Sequence, residues 1–317
     1  MESVMRGTCL IYSSHNRCQH IHRDLIAERA LQGLDNKRIL LLPMSQTVNG
    51  GDERNRQQYE TGTFDWYFKR FEQYGLEFVP FYWSSGLRRQ DADLFWHLLY
   101  ESQVVVLAGG SSELGLQRYK TLGAVFGNEP GRFGRILHER QSRGLLTVGF
   151  SAGADQLGEI LSSSAHHRMD DSNAFGLARN VVTTLHHERG REGDLMQVAS
   201  SFPHCMAFGL PNDSGLNIDQ GRLPSGNFWQ VIDFVVDRTW DIESEQWHVK
   251  TRQGVPIEHF GPRGEHWAFH GGEKMVRIES ADHAYKAAFV TTPGGLTDFH
   301  GRSPAPFGSI EEVLAAH

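Results

Sequence analysis

The chain has 317 residues, of which 39% are hydrophobic, enough to bury a sizeable core in one large domain or in one domain with an appended lobe; this composition excludes a disordered protein. A formal charge of -7 supplies no basic field for nucleic acid, and no run approaches the roughly 18 apolar residues that span a bilayer. Met1 to Thr8 leads into a short apolar run with no secretory layout, which points to a soluble cytoplasmic protein with no nucleic-acid or membrane partner.

In chain order, apolar runs at Gly7 to Tyr12, Arg38 to Pro43, Leu76 to Phe81, Val104 to Ala108 and Leu145 to Phe150 predict buried strands. Segments with helical spacing lie between and around them, at His22 to Gly33, Asp52 to Tyr74, Asp91 to Tyr100, Leu114 to Leu122 and Gly131 to Ser142. This alternation predicts an α/β fold with a mostly parallel sheet flanked by helices on both faces. Further on, Gln156 to Leu161 reads as a helix, Asn180 to Thr184 as a strand and Asp194 to Ser201 as a helix. From 227 to 285 the chain turns β-rich, with strands at Phe228 to Val236, Trp247 to Thr251, His266 to His270 and Lys274 to Ile278. Residues 1–285 are expected to form one α/β domain, and 286–317 a C-terminal loop or tail.

Chemistry concentrates first in Leu145-Leu146-Thr147-Val148-Gly149-Phe150-Ser151-Ala152-Gly153-Ala154, an apolar strand that runs through Gly-x-Ser-x-Gly into a helix. Glycines at 149 and 153 suit a turn too tight for a Cβ, which would hold the Ser151 hydroxyl at the carboxyl end of the sheet as a nucleophile. The first free N–H of the following helix, that of Ala152, can stabilise an oxyanion. An earlier strand ends in Ala108-Gly109-Gly110-Ser111-Ser112, where a glycine pair allows close backbone approach and makes Gly110 the second candidate donor. Either His186 or His187, following the strand at 180–184, can serve as the base.

The Gly-Phe-Ser-Ala-Gly-Ala at 149–154, Ala-Gly-Gly at 108–110 and the tract from His186 to Arg191 together resemble the serine peptidase family of dipeptidase E and cyanophycinase. Phe208-Gly209-Leu210-Pro211, Phe228-Trp229-Gln230-Val231 and Trp267 to Glu273 add to the similarity, which spans roughly residues 5–285. The resemblance implies a fold similar to class I glutamine amidotransferases, and a Ser-His-Glu triad with Ser151 as nucleophile and His186 as base. It puts Ser111, His187 and Arg189 where substrate contacts fall. No glutamate occupies the place of the acid, and Asp219, Asp213, Gln220 and Asn212 remain open for it, with Asp219 carried as the catalytic assignment. The Asn/Asp-Gln loop of cyanophycinase is replaced by Ser111-Ser112.

The resulting expectation is a serine peptidase that cleaves a short peptide or isopeptide through an acyl-enzyme on Ser151, with no metal or organic cofactor and a homodimer left open. The alternative is a catalytically weakened member that binds or regulates. A common α/β-hydrolase esterase would instead place its acid before its histidine near the chain end, as Asp282 or Asp298 with His300. Three cysteines, Cys9, Cys18 and Cys205, are scattered and read as reduced structural thiols. His15, Cys18, His20 and His22 form a metal-capable cluster by residue type alone, and His166 to Asp171 reads as a solvated loop.

Overall fold

Two-residue periodicity in the first strand sets the layering of the molecule. The structure, a computed structural model, describes residues 7–14, 20–32, 36–46, 52–62, 65, 69–167, 173–212, 214–236, 243–244, 249–250 and 255–317. In β1 (Gly7–Tyr12), Cys9 and Ile11 enter one hydrophobic core while Leu10 and Tyr12 enter another on the opposite face of the sheet. A strand buried on both faces needs an unbroken apolar run, and Val104 to Leu107 and Leu146 to Phe150 are buried at every position for the same reason.

After β1, a π-helical turn (His20–Ala27) passes into α1 (Glu28–Gln32), followed by β2 (Arg38–Leu42), α2 (Asp52–Glu60), β3 (Glu77–Pro80) and α3 (Arg89–Glu101). Then come β4 (Val104–Leu107), α4 (Ser112–Gly127), α5 (Arg132–Ser142), β5 (Leu146–Phe150), α6 (Ala152–Leu157) and β6 (Val181–Leu185). The second half holds α7 (Glu192–Ser201), β7 (Met206–Leu210), β8 (Ser214–Arg222), β9 (Phe228–Val236), β10 (Glu243–Ser244), β11 (Val249–Lys250) and β12 (Ile257–Phe260). It closes with β13 (His266–Phe269), β14 (Lys274–Glu279), β15 (Lys286–Thr292), β16 (Gly295–Asp298) and α8 (Ile310–Ala316).

The main sheet runs β16-β15-β14-β9-β8-β1-β5-β4-β2-β3. Its β1-β5-β4-β2-β3 half is parallel, with residues of α3 to α6 packed on one face and residues of the π-helical turn, α1 and α2 on the other. The β8 strand joins β1 antiparallel and begins the antiparallel half, so the β-rich C-terminal region extends the same sheet. A separate four-stranded sheet, β13-β12-β7-β6, contributes Phe208 and Phe269 to the larger core. Among the described residues, no helix is long and apolar enough to cross a membrane.

Two expectations are corrected, and two strands were missed. The helix expected over 156–161 lies earlier, at Ala152–Leu157, because the serine turn itself starts it and Gly158 ends it in an extended conformation. Residues 286–317 are not a tail: β15 pairs in register with β14, and Val313 of α8 is fully buried with Trp229 and Phe289. Strands β7 and β8 were not read from the sequence, because Ser214 to Arg222 mixes Gly, Asn, Asp and Gln among its few apolar residues.

Close packing explains the elbow glycines. A Cβ on Gly149 would lie 2.3 Å from the Gly153 carbonyl oxygen, and one on Gly153 would lie 2.1 Å from the carbonyl oxygen of Leu107 in β4. Helix α6 is thereby set against the backbone of the neighbouring strand. We expect Gly153→Ala to cost about 3 kcal/mol, the upper range for overpacking against a backbone that cannot yield. Urea unfolding measures this, and a loss below about 1 kcal/mol would contradict the packing argument.

Candidate active site

Ser151 sits between β5 and α6 with φ 51° and ψ -123°, a combination that L-residues seldom adopt and that the packed glycines on either side enforce. Its Oγ lies 3.4 Å from His186 Nε2. His186, just past β6, also has a left-handed φ of 53°. The His186 Nδ1 lies 2.5 Å from Asn212 Oδ1, which follows β7. An amide oxygen can only accept, so this contact puts the ring proton on Nδ1 and leaves the Nε2 lone pair facing the serine hydroxyl.

These three residues are tied to the carboxyl end of β1. The Tyr12 carbonyl accepts from Ser151 N (3.1 Å), Ser13 Oγ accepts from His186 N (2.7 Å), and Ser14 Oγ donates to the Asn212 carbonyl (2.6 Å). Arg191 donates to the His186 carbonyl at 3.1 Å, closing the tract from the other side. Ser13 and Ser14 were missed in the sequence, although two hydroxyls directly after a buried parallel strand sit where such sheets gather their sites.

The glycine pair after β4 lies beside the serine. A Cβ on Gly109 would be 3.1 Å from Ser151 Cβ, while Gly110, at φ 135°, has room for none because the Ser45 carbonyl oxygen would be 2.0 Å away. Ser45 accepts from Ser111 N at 2.7 Å, and buried Gln156 donates to Ser45 Oγ at 2.9 Å. Buried Arg118 holds the Met44 and Gln46 carbonyls at 2.7 and 3.0 Å. The loop that carries Gly110 is thus fixed from behind, and Ala152 is the first residue of α6, whose leading N–H groups lack intrahelical partners by construction.

Asp219 and His187 fall elsewhere. Asp219 accepts from Thr8 and pairs with Arg29 at 3.4 Å. Since Thr8 is opposite Asp219 and Tyr12 opposite Gly215, Asp219 stands four residues down the strand, roughly 13 Å from the serine end. It does not face His186; Asn212 holds that place. Gln220, one residue further, bonds Leu177 and Gln230, and Asp213 lies outside the described residues. His187 is also corrected: it is 4% exposed, its ring covers Gly209, and Nε2 pairs with Glu258 at 2.6 Å. The left-handed turn at His186 separates the two rings, leaving His186 exposed beside the serine and His187 buried against the second sheet. The Ser111 hydroxyl caps α4 by accepting from Leu114 N and donates to Glu113, while Arg189 is exposed.

His300, the base of the esterase arrangement, lines a different cleft, with Asp298 bonded to the Gly301 N–H. Among the described residues no three His, Cys, Asp or Glu side chains gather as metal ligands. His15 and Cys18 lie outside them, as do residues 168–171, and His22 is buried against Arg70 and Phe71.

No protein-family model matches the sequence, and no curated protein matches it either. The fold is nevertheless shared: a crystal structure of a peptidase from an acI-B1 Actinobacterium superposes with a TM-score of 0.51 at 17% identity, covering 84% of this chain and 98% of that one. A putative Peptidase E protein from Listeria monocytogenes EGD-e gives a TM-score of 0.47 at 16% identity over 68% of this chain and 95% of that one. At such identities the likeness is one of fold.

Asp155, in the first turn after the serine, was not singled out in the sequence. Burial pushes its carboxyl up to about 6, against the hydrogen bond it accepts from Ser162 N at 2.9 Å. A carboxyl raised from 3.8 keeps its proton in the folded state through an interval where the unfolded chain has lost it. Its contribution to stability is therefore fully present below pH 3.8 and is lost as pH rises to about 6. We expect Asp155→Asn to gain on the wild type by on the order of 3 kcal/mol between those limits, measured by urea unfolding across pH. A difference independent of pH would refute this account.

Proposed function

We propose that the protein is a serine hydrolase that cleaves a peptide or isopeptide bond through an acyl-enzyme on Ser151. The observation that carries this reading is the line from Ser151 Oγ to His186 Nε2 (3.4 Å) and from His186 Nδ1 to Asn212 Oδ1 (2.5 Å), built on a strained elbow. His186 removes the Ser151 proton as the hydroxyl attacks the carbonyl, then returns it to the leaving amine. Gly110 and Ala152 supply the oxyanion N–H groups in this reading. Water, deprotonated by His186, then releases the acyl group. The peptidase named among the structural neighbours supports the choice of amide over ester substrates, and the resemblance to dipeptidase E and cyanophycinase supports a short peptide.

The test is active-site labelling with a fluorophosphonate and mapping of the modified residue. Modification is expected at Ser151, with none in Ser151→Ala and at least about 100-fold slower labelling in His186→Ala. His187→Ala is expected to keep the reaction, since its ring belongs to Glu258. Correctly folded protein that does not react at Ser151 would sink the hydrolase reading.

Asn212 gives that reading a specific rate signature. A neutral amide orients the imidazole but cannot offset the charge it gains in the transition state, which a buried carboxylate in that place would stabilise. Asn212→Asp is therefore expected to raise the rate of acylation by about 10 to 1,000-fold, followed by stopped-flow burst kinetics with an activated amide. The same neutrality favours a second reading, a weakened member that retains peptides without turning them over; an unchanged rate in Asn212→Asp, together with saturable peptide binding, would select it.

A further inference from the structure

A second cleft, of about 490 Å³, opens between the small sheet and the C-terminal strands, with Cys205, His259, Trp267, Arg277, Phe299 and Arg302 among its walls. It is separate from the serine. Cys205 and Met206 lie at the start of β7, where Met206 is opposite Val181, whereas His186 follows the far end of β6, roughly 13 Å along the strands.

Two guanidinium groups in this cleft have only neutral hydrogen-bond partners among the described residues. Arg277 donates to the Gln230 side-chain oxygen at 2.7 Å, and Arg302 donates to the His266 carbonyl at 2.7 Å. The nearby carboxylates are engaged elsewhere. Glu279 is bonded to His283 at 2.5 Å and pairs with Arg179 and Lys286, each at 3.6 Å; it acts on Arg277 through space but is outside ion-pair distance. Glu265 folds back on its own turn, accepting from Arg263 N at 3.0 Å. Burial lowers Arg277 to about 10, the sign of a charge removed from water without full compensation.

Aromatic surface lies beside this charge. Trp267 stacks on Phe299 with centroids 5.2 Å apart, and the Arg302 guanidinium lies 4.9 Å from the Trp267 ring centroid. His259 and Cys205 add no competing charge: burial holds the imidazole down to about 4, and the thiol is pushed up to about 12. Enclosed apolar walls with a few fixed polar groups are the usual make-up of a small-molecule site.

We propose that this cleft binds a flat aromatic organic anion, its ring against Trp267 and Phe299 and its charged group between Arg277 and Arg302. The C-terminal strands that complete it make it a candidate effector site, independent of the chemistry at Ser151.

Naphthalene-2-sulfonate is the probe, titrated calorimetrically against the full chain with 2-naphthalenemethanol as the uncharged control. One sulfonate per chain is expected, weakened at least tenfold by Arg302→Ala and by Arg277→Gln and unchanged by Ser151→Ala, with the neutral analogue insensitive to both arginine changes. Arg302 is exposed on a turn, so its removal tests the site even if Arg277→Gln fails to fold. The absence of saturable binding, or equal affinity in folded Arg302→Ala, overturns the proposal, as does loss of binding in Ser151→Ala.

Discussion

The candidate active site depends on the carboxyl end of one strand. Tyr12, Ser13 and Ser14 each spend one polar group on a different member of the Ser151, His186 and Asn212 line: a carbonyl to the serine N–H, a hydroxyl to the histidine N–H and a hydroxyl to the asparagine carbonyl. The residues they hold come from three separate strand ends, β5, β6 and β7, which belong to two different sheets. Without a common anchor their separation would follow every small shift between those sheets. The anchor itself is rigid because β1 is buried on both faces and is paired on both edges, with β5 and β8.

Strain is concentrated where this anchor can hold it. Ser151 and His186 both take positive φ, at 51° and 53°, and neither is glycine. Such conformations persist only when surrounding contacts over-determine them. Around Ser151 these contacts are the interlocked glycines 149 and 153; around His186 they are Ser13 on its N–H and Arg191 on its carbonyl. The neighbouring His187 adds to the constraint, since its buried ring and its bond to Glu258 fix the chain one residue beyond His186.

In the proposed hydrolase, an amide where a triad has its carboxylate changes what the site can do more than where its atoms lie. Asn212 satisfies His186 Nδ1 geometrically, yet would contribute no negative charge to the cationic ring that the proposed reaction requires. The replacement therefore separates orientation, which the site retains, from electrostatic stabilisation, which it lacks at that position. In the second cleft the imbalance is reversed: Arg277 and Arg302 face a space with no carboxylate within ion-pair distance of either among the described residues. One site lacks an anion of its own, and the other has the charge to receive one.

The sequence by itself determined the parallel half of the fold and the serine turn, because both rest on local signals. Apolar runs that must be buried on both faces and glycines that flank a tight turn are visible without knowing any neighbour. It also narrowed the expected base to two adjacent histidines, and only the folded chain showed His186 beside Ser151 and His187 beside Glu258. The partner of His186 was beyond local reading: Asp219 carries the more suitable chemistry, but pairing of β8 with β1 carries it toward Thr8 and Arg29, while Asn212 remains at the strand end. Phe228 to Val236, His266 to His270 and Lys274 to Ile278 were legible as strands, but β12, β15 and β16 were not, since half-polar antiparallel segments acquire their meaning from the strands they pair with. Propensity and turn chemistry act over a few residues, but register and the meeting of strand ends are set by contacts hundreds of residues apart, and only the tertiary structure decides those.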